Sequence, residues 1–238
     1  MEYPWSFFKD VYVISLDEAV DRREALAKEF ERFPGLHYTF VRAVDGRKNC
    51  ALRSWFMKAN FISDPYPFSD GALGCLASHR KVWQTILEET GSEFPTWSLI
   101  VEDDLRFHPQ FTAEHMAQYL KHVPSDANVL KFGYLVDSYR RSKYTRENAY
   151  WWNFNKTCAF STVCYAIKSN ILPTFLYSKI NCPVDGICIA GMYGAASLTE
   201  AFGLQDTTNV MVYKNPVTGQ DQIFQGVVTV ADYPSTTV

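Results

Sequence analysis

Leu99-Ile100-Val101-Glu102-Asp103-Asp104 is a short apolar run that ends abruptly in three consecutive carboxylates. A run of this length reads as a buried strand, and strands covered on both faces belong to parallel α/β sheets, where ligands collect beyond the strands' carboxyl ends. The carboxylates are therefore expected to face a crevice. Adjoining negative charges repel one another unless water or a cation offsets them, and Mg²⁺ or Mn²⁺ is commonly held by one or two carboxylates plus substrate phosphates. The junction suggests a metal–diphosphate site. The competing reading is a solvated acidic turn.

Working outward, the segments on both sides keep an α/β rhythm. Val11 to Leu16 is a strand candidate that feeds a helix in which Asp21 and Glu24 have cap and N3 spacing. Leu26, Phe30 and Phe33 share one face of that helix, which Pro34-Gly35 stops; Leu36 to Ala43 alternates as a second strand before the Val44-Asp45-Gly46 turn. Residues 47–70 lose periodicity and predict an ordered loop. Helical spacing returns from Gly74 to Gly91, with Leu76, His79, Trp83 and Ile86 on one face. Past the acidic junction, a helix is expected from Pro109, strands at Val129 to Phe132 and Cys158 to Ile167, and a helix over Ser169 to Ser178 interrupted by Pro173. A further helix is expected over Val184 to Tyr193, and strands at Val210 to Tyr213 and Val227 to Val230.

The 238 residues, 47% hydrophobic and 16% aromatic, suit one sizeable domain, taken as 1–238, with no internal repeat or linker. A net charge of −3 gives no global attraction to nucleic acid or anionic lipid, so no nucleic-acid partner is expected. The chain opens without a basic start and apolar core and contains no 18-residue apolar stretch, so no transmembrane segment and a cytoplasmic location are expected, with peripheral membrane association left open. Six cysteines without Cys-x-x-Cys pairing predict reduced thiols rather than a zinc module.

Several residues outside the junction carry chemistry. Arg22 and Arg23 sit in the first turn of a helix, where the dipole disfavours cations; a bound diphosphate would reverse that penalty, and pairing with Asp17, Glu18 or Asp21 would also offset it. His79, next to Ser78, reads either as a satisfied half-buried histidine or as a donor to a substrate oxygen. Asp185, in Pro183-Val184-Asp185-Gly186, reads as a helix cap or a lone functional acid. The basic and aromatic stretch 139–152 reads as a mobile surface loop, a carbohydrate-stacking face or, least favoured by the charge, a single-stranded nucleic-acid site.

Taken in order, these pieces resemble glycosyltransferase family 25, which includes bacterial lipooligosaccharide and collagen β-galactosyltransferases. The resemblance is carried by Val11-Tyr-Val-Ile-Ser-Leu-Asp17 with Asp21-Arg22-Arg23, by Ala43-Val-Asp-Gly46, and by Asp64-Pro65 leading to Gly71-Ala-Leu-Gly-Cys-Leu-Ala-Ser-His79. It continues through Leu99 to Phe107, Tyr165-Ala-Ile167 and Pro183-Val-Asp185, so it covers about residues 10–190. It implies a GT-A-like fold with a mixed, mostly parallel central sheet flanked by helices. Residues 1–135 would form the nucleotide-sugar half and 136–238 the acceptor half. The implied activity is metal-dependent, inverting transfer of a hexose, with galactose favoured, from a UDP-sugar to a glycan or glycoprotein acceptor.

On the same resemblance, Mn²⁺ (or Mg²⁺) would be held by Glu102 and Asp104, with Asp103 near the ribose or a metal-bound water. Asp17, Arg22, Asp45, Ser78 and His79 would be donor-site residues, and Asp185 the base for the acceptor hydroxyl. Two departures stand out: the family's acid in the Gly-Glu-x-Gly-Cys segment is Ala72 here, and no histidine follows residue 122, leaving Asp221 as the substitute late metal ligand. Two other classes stay open, a catalytically inactive nucleotide-sugar or glycan-binding domain of the same fold and a metal-dependent nucleotide-diphosphate phosphohydrolase.

Overall fold

The computed structural model describes residues 4–64, 67–91, 95–137, 143–154, 159–187, 189–204, 212–214 and 221–230. Its first half is β1 (Phe8–Ser15), α1 (Val20–Phe30), β2 (Thr39–Arg42), α2 (Leu52–Lys58), α3 (Asp70–Thr90) and β3 (Trp97–Glu102). Then follow β4 (Leu105–Phe107), α4 (Ala113–Lys121), β5 (Val129–Lys131), β6 (Gly133–Asp137), β7 (Thr145–Arg146), β8 (Trp151–Asn153) and β9 (Cys164–Lys168). The remainder is α5 (Leu172–Tyr177), β10 (Met192–Ala195), α6 (Leu198–Phe202), β11 (Val212–Lys214), β12 (Asp221–Gly226) and β13 (Val228–Val230).

Eight strands form one sheet in the order β2-β1-β3-β9-β5-β10-β8-β7. Because β1 pairs in parallel with β2 and β3, and β10 with β5, only β9 and β8 run against the rest. The fold is thus the expected α/β sheet, mixed but mostly parallel, flanked by helices. Apolar residues on its two faces build two cores, one around Val13, Leu26, Phe33 and Leu99, the other around Ile14, Leu76, Trp83 and Ile100. Successive residues of β1 and β3 therefore serve opposite cores, which is why both strands read as unbroken apolar runs.

Register decides where the chemistry sits. Ile14 lies opposite Val41 on one side and Glu102 on the other, so β2, β1 and β3 end together at Arg42, Ser15 and Glu102. Antiparallel β9 brings the residues before Cys164 to that same edge, where the Glu102 amide donates to the Val163 carbonyl at 2.9 Å. Asp17, Asp45, Asp103 and Asp104 all follow these strand ends in the chain, at the position where α/β sheets bind ligands.

Local expectations were modified where backbone partners overrode the sequence cue. Helix α1 begins at Val20, with Asp21 inside its first turn instead of at the cap. Residues 47–70 contain α2, stabilised by burial of Leu52 and Phe56. Helix α3 starts four residues before Gly74 because the Ser69 hydroxyl accepts from the Ala72 amide, and Gly91 ends it at φ 67°. Thr112, not Pro109, caps α4; Pro173 lies at the start of α5, where its missing N–H costs nothing. The helix expected over Val184 to Tyr193 is a single 3₁₀ turn, Val184–Gly186, followed by β10. Part of the basic-aromatic stretch joins the sheet edge as β7 and β8, with Trp151 fully buried and its Nε1 donating to the Tyr119 carbonyl at 2.9 Å; residues 138–142 lie outside the described residues.

Candidate functional site

Beyond the aligned strand ends lies an open cleft of about 500 Å³, lined by Ser15, Arg22, Asp45 to Lys48, Gly71, Cys75, Ser78, His79 and Glu102 to Asp104, among others. Its wall is shaped by a close backbone approach. Gly46 packs on Gly74 of α3, and the Ser78 hydroxyl both accepts from the Val44 amide at 2.8 Å and donates to the Gly74 carbonyl at 2.7 Å. Ser78 thereby clamps the Ala43–Gly46 turn to α3.

The three carboxylates of the junction have three different environments. Asp103 is buried and paired: its Oδ2 accepts from the Ser15 hydroxyl at 2.7 Å and its Oδ1 lies 3.2 Å from Arg22 Nη1. Arg23 Nε in turn donates to the Ser15 oxygen at 2.9 Å. Glu102 Oε1 lies 3.1 Å from His79 Nε2 and accepts from the Thr162 hydroxyl at 2.5 Å. Burial works against its charged form, but His79, Thr162 and Arg22 outweigh it and hold the carboxyl below its ordinary range.

Asp104 is the exception. Its Oδ1 is buried without a hydrogen-bond partner, and burial, followed by the charges of Glu102 and Asp103, pushes its pKa up to about 7 against the opposing pull of Arg22. An orphaned, charge-crowded carboxylate oxygen in a cleft is what a divalent cation would satisfy, so the donor set of Glu102 and Asp104 fits a hard metal ion.

His79 is fully buried between two partners: besides Glu102, its Nδ1 lies 2.9 Å from the Tyr165 hydroxyl, whose oxygen accepts from Trp83 Nε1 at 2.8 Å. His79 is thus satisfied in the core, with its ring forming part of the cleft wall. Asp45 accepts from the Arg47 amide at 3.0 Å and faces Arg47 Nε at 3.4 Å and Lys48 at 3.6 Å. Burial is outweighed by these donors and its pKa is lowered. Asp17 bridges Arg23 and Arg42 at 3.3 and 2.8 Å and lines an adjoining cavity with Glu18, Arg42 and Lys48.

On the far side of Glu102, Lys131 is a buried cation. Its ammonium donates to the carbonyls of Ala159 at 2.5 Å, Ser161 at 2.9 Å and Asp185 at 3.4 Å, and burial lowers its pKa to about 8. Ser161 adopts φ 82°, a conformation that L-residues hold only when the surroundings enforce it. Lys131 thus joins the segment that aims Thr162 at Glu102 to the turn that carries Asp185. Burial raises the Asp185 pKa, with Lys131 opposing and Glu102 adding to the rise.

The structure therefore gathers Arg22, Asp45, Ser78, His79 and Glu102 to Asp104 around one cleft, with Asp17 lining the adjoining cavity; Asp185 is not among the residues lining the cleft, and its carboxyl feels the Glu102 charge. Asp221 opens β12 opposite Lys214, and its side chain lies outside the described part of the structure. Ser15, Cys75, Lys131, Thr162 and Tyr165 were given no site role from sequence. Lys131 had a signal, as the one charge in the apolar run Val129 to Phe132, and Cys75 stands one helical turn before His79; Thr162 had none. Cys50, Cys75 and Cys164 are free thiols, and no described helix is long and apolar enough to cross a membrane.

The sequence profile of glycosyltransferase family 25 (LPS biosynthesis protein) matches residues 8–188, which contain every part of this cleft. A glycosyltransferase 25 family member of Aedes aegypti is 32% identical over 107 residues, covering 42% of this chain and 17% of that protein. Procollagen galactosyltransferase 2 of Homo sapiens is 30% identical over 118 residues, covering 46% and 18%. Procollagen galactosyltransferase 1 of Danio rerio is 32% identical over 110 residues, covering 44% and 17%. The matches thus span less than a fifth of these relatives' length.

Proposed function

The chain belongs to glycosyltransferase family 25, and from that premise we propose that it is a metal-dependent glycosyltransferase that moves a hexose, galactose first among candidates, from a UDP-sugar to a hydroxyl of a glycan or glycoprotein with inversion. The observation that carries this reading is the buried, unpartnered Oδ1 of Asp104 at the mouth of three aligned strand ends. The galactose preference rests on the relatives named as procollagen galactosyltransferases.

In this reading Glu102 and Asp104 hold Mn²⁺ or Mg²⁺. When bound, the cation supplies electrostatic stabilisation of the charge that develops on the departing diphosphate. The chain's own residues do the rest. Arg22, fixed by Asp103, and the Arg47 and Lys48 side chains beside Asp45 place positive charge along the cleft, where they attract phosphate oxygens. The Ala43–Gly46 turn, clamped by Ser78, forms the nucleoside-side wall. His79 and Thr162 hold Glu102 ionised and oriented. An inverting displacement needs a base for the acceptor hydroxyl, and Asp185, a lone acid whose pKa burial raises, is assigned that role. Calorimetric titration of UDP in the presence and absence of Mn²⁺ tests the reading: binding should require the metal, and metal-independent or absent binding contradicts it.

A further inference from the structure

Cys75 and His79 stand one turn apart on α3, and the Cys75 sulfur, a His79 ring nitrogen and a Glu102 carboxylate oxygen all lie within 4.8 Å of one another on the cleft wall. We propose that these three side chains form a binding site for a thiophilic divalent cation, Zn²⁺ or Co²⁺, distinct in donor chemistry from the all-oxygen site of Glu102 and Asp104.

Two of the three donors already stand at ligating separation, and the sulfur closes from within 4.8 Å. Two donors on one tetrahedral ion with bonds of about 2.0–2.1 Å stand roughly 3.3 Å apart, and His79 Nε2 and Glu102 Oε1 are already 3.1 Å apart. Ligation through Nε2 leaves the ring proton on Nδ1, and the Tyr165 hydroxyl oxygen stands 2.9 Å away to accept it, the outer-sphere partner that ligating histidines use to fix their orientation. That oxygen is itself fixed by Trp83 Nε1 at 2.8 Å. The thiol, raised well above its ordinary pKa by burial, is inert as a free group. On ligation the S–H proton passes to solvent and the Sγ–metal bond replaces a metal–water bond, with no change of oxidation state. The open side of the site is the cleft, where Asp104 offers its unpartnered oxygen.

Nitrogen and sulfur donors favour Zn²⁺ and Co²⁺ over Mn²⁺ and Mg²⁺. Because Glu102 is common to both sites, Zn²⁺ bound at its Oε1 competes with the oxygen site for this carboxylate. The consequence for turnover, inhibition by Zn²⁺, rests on the transferase reading; the binding site does not.

Co²⁺ titration of the full chain followed by absorbance tests the site directly, because only a thiolate ligand gives a near-ultraviolet charge-transfer band. The band should appear in the wild-type chain, disappear on Zn²⁺ addition, and be absent in Cys75→Ser and Cys75→Ala. Zn²⁺ affinity should fall about 100-fold or more in those variants, exceeding the loss typical of outer-sphere changes. No band at excess Co²⁺, or an undiminished band in both variants, overturns the proposal. Neither result depends on whether the chain turns over a UDP-sugar.

Discussion

Gly46 and Gly74 meet with no space for a methyl group between them: a Cβ on Gly46 would stand 1.8 Å from the Asp70 carbonyl oxygen, and one on Gly74 2.5 Å from the Gly46 nitrogen. The obstructing atoms are backbone, so neither side can rotate away. Gly74→Ala is expected to destabilise the fold by more than the 1–3 kcal/mol (approximate range) of ordinary overpacking, and to weaken UDP binding by displacing the Ala43–Gly46 turn. Thermal denaturation and UDP calorimetry check both; an unchanged variant would show that this contact does not shape the cleft.

Asp104 sets a pH dependence with a definite sign. Its folded pKa of about 7 exceeds its ordinary 3.8, so the native state retains a proton that the unfolded chain releases between those values. The unfolded state binds fewer protons there, and stability falls as pH rises from about 4 to 7. Asp104→Asn should therefore raise the melting temperature above wild type at pH 8, by an amount corresponding to roughly 4 kcal/mol, and the difference should vanish near pH 4. Mn²⁺ should stabilise wild type at pH 8 and leave Asp104→Asn unaffected. A variant no more stable than wild type at pH 8 contradicts this account of the carboxylate.

Lys131 should affect turnover more than donor binding, because its three acceptors lie on the Thr162 and Asp185 side of Glu102, away from Arg22 and Asp45. Lys131→Met is expected to lower kcat by about 10- to 100-fold, the range of outer-sphere substitutions, with the donor KM within a few-fold of wild type. Combining it with Thr162→Val should cost little more than Lys131→Met alone, since both act through Glu102. Fully additive losses would place the two residues in separate roles.

The path from sequence to site explains what was legible. The strands around Val11 to Ser15 and Leu99 to Glu102 are buried on both faces, so composition alone marks them, and their parallel pairing places Ser15 and Glu102 at a shared edge. What could not be read came from long-range partners. Thr162 meets Glu102 across 60 residues, and Tyr165 meets His79 across 86, with no local pattern to announce either. Residues 184–193 look helical by spacing, but Met192 to Gly194 find a strand partner in β5, and tertiary pairing overrides the local cue. Ala72, the departure from the family's acid, remains next to the Ser69 cap that starts α3.

Asp185→Asn addresses the chemical step. With the base removed and the polar volume kept, transfer should fall by about 100-fold or more, as expected for loss of general base catalysis, while UDP and Mn²⁺ binding persist. Persistent transfer would assign the base elsewhere.

The central claim is that Asp104 and Glu102 grip the cation that binds a UDP-sugar's diphosphate. Its most direct measurement is product release from UDP-galactose and UDP-glucose with Mn²⁺, comparing wild type with Asp104→Ala at matched circular dichroism. The account predicts slow release of UDP and free sugar that requires Mn²⁺ and disappears in the variant. Release of UMP would instead identify a phosphohydrolase, donor binding without any release a binding domain, and UDP release that survives both EDTA and Asp104→Ala would contradict the claim outright.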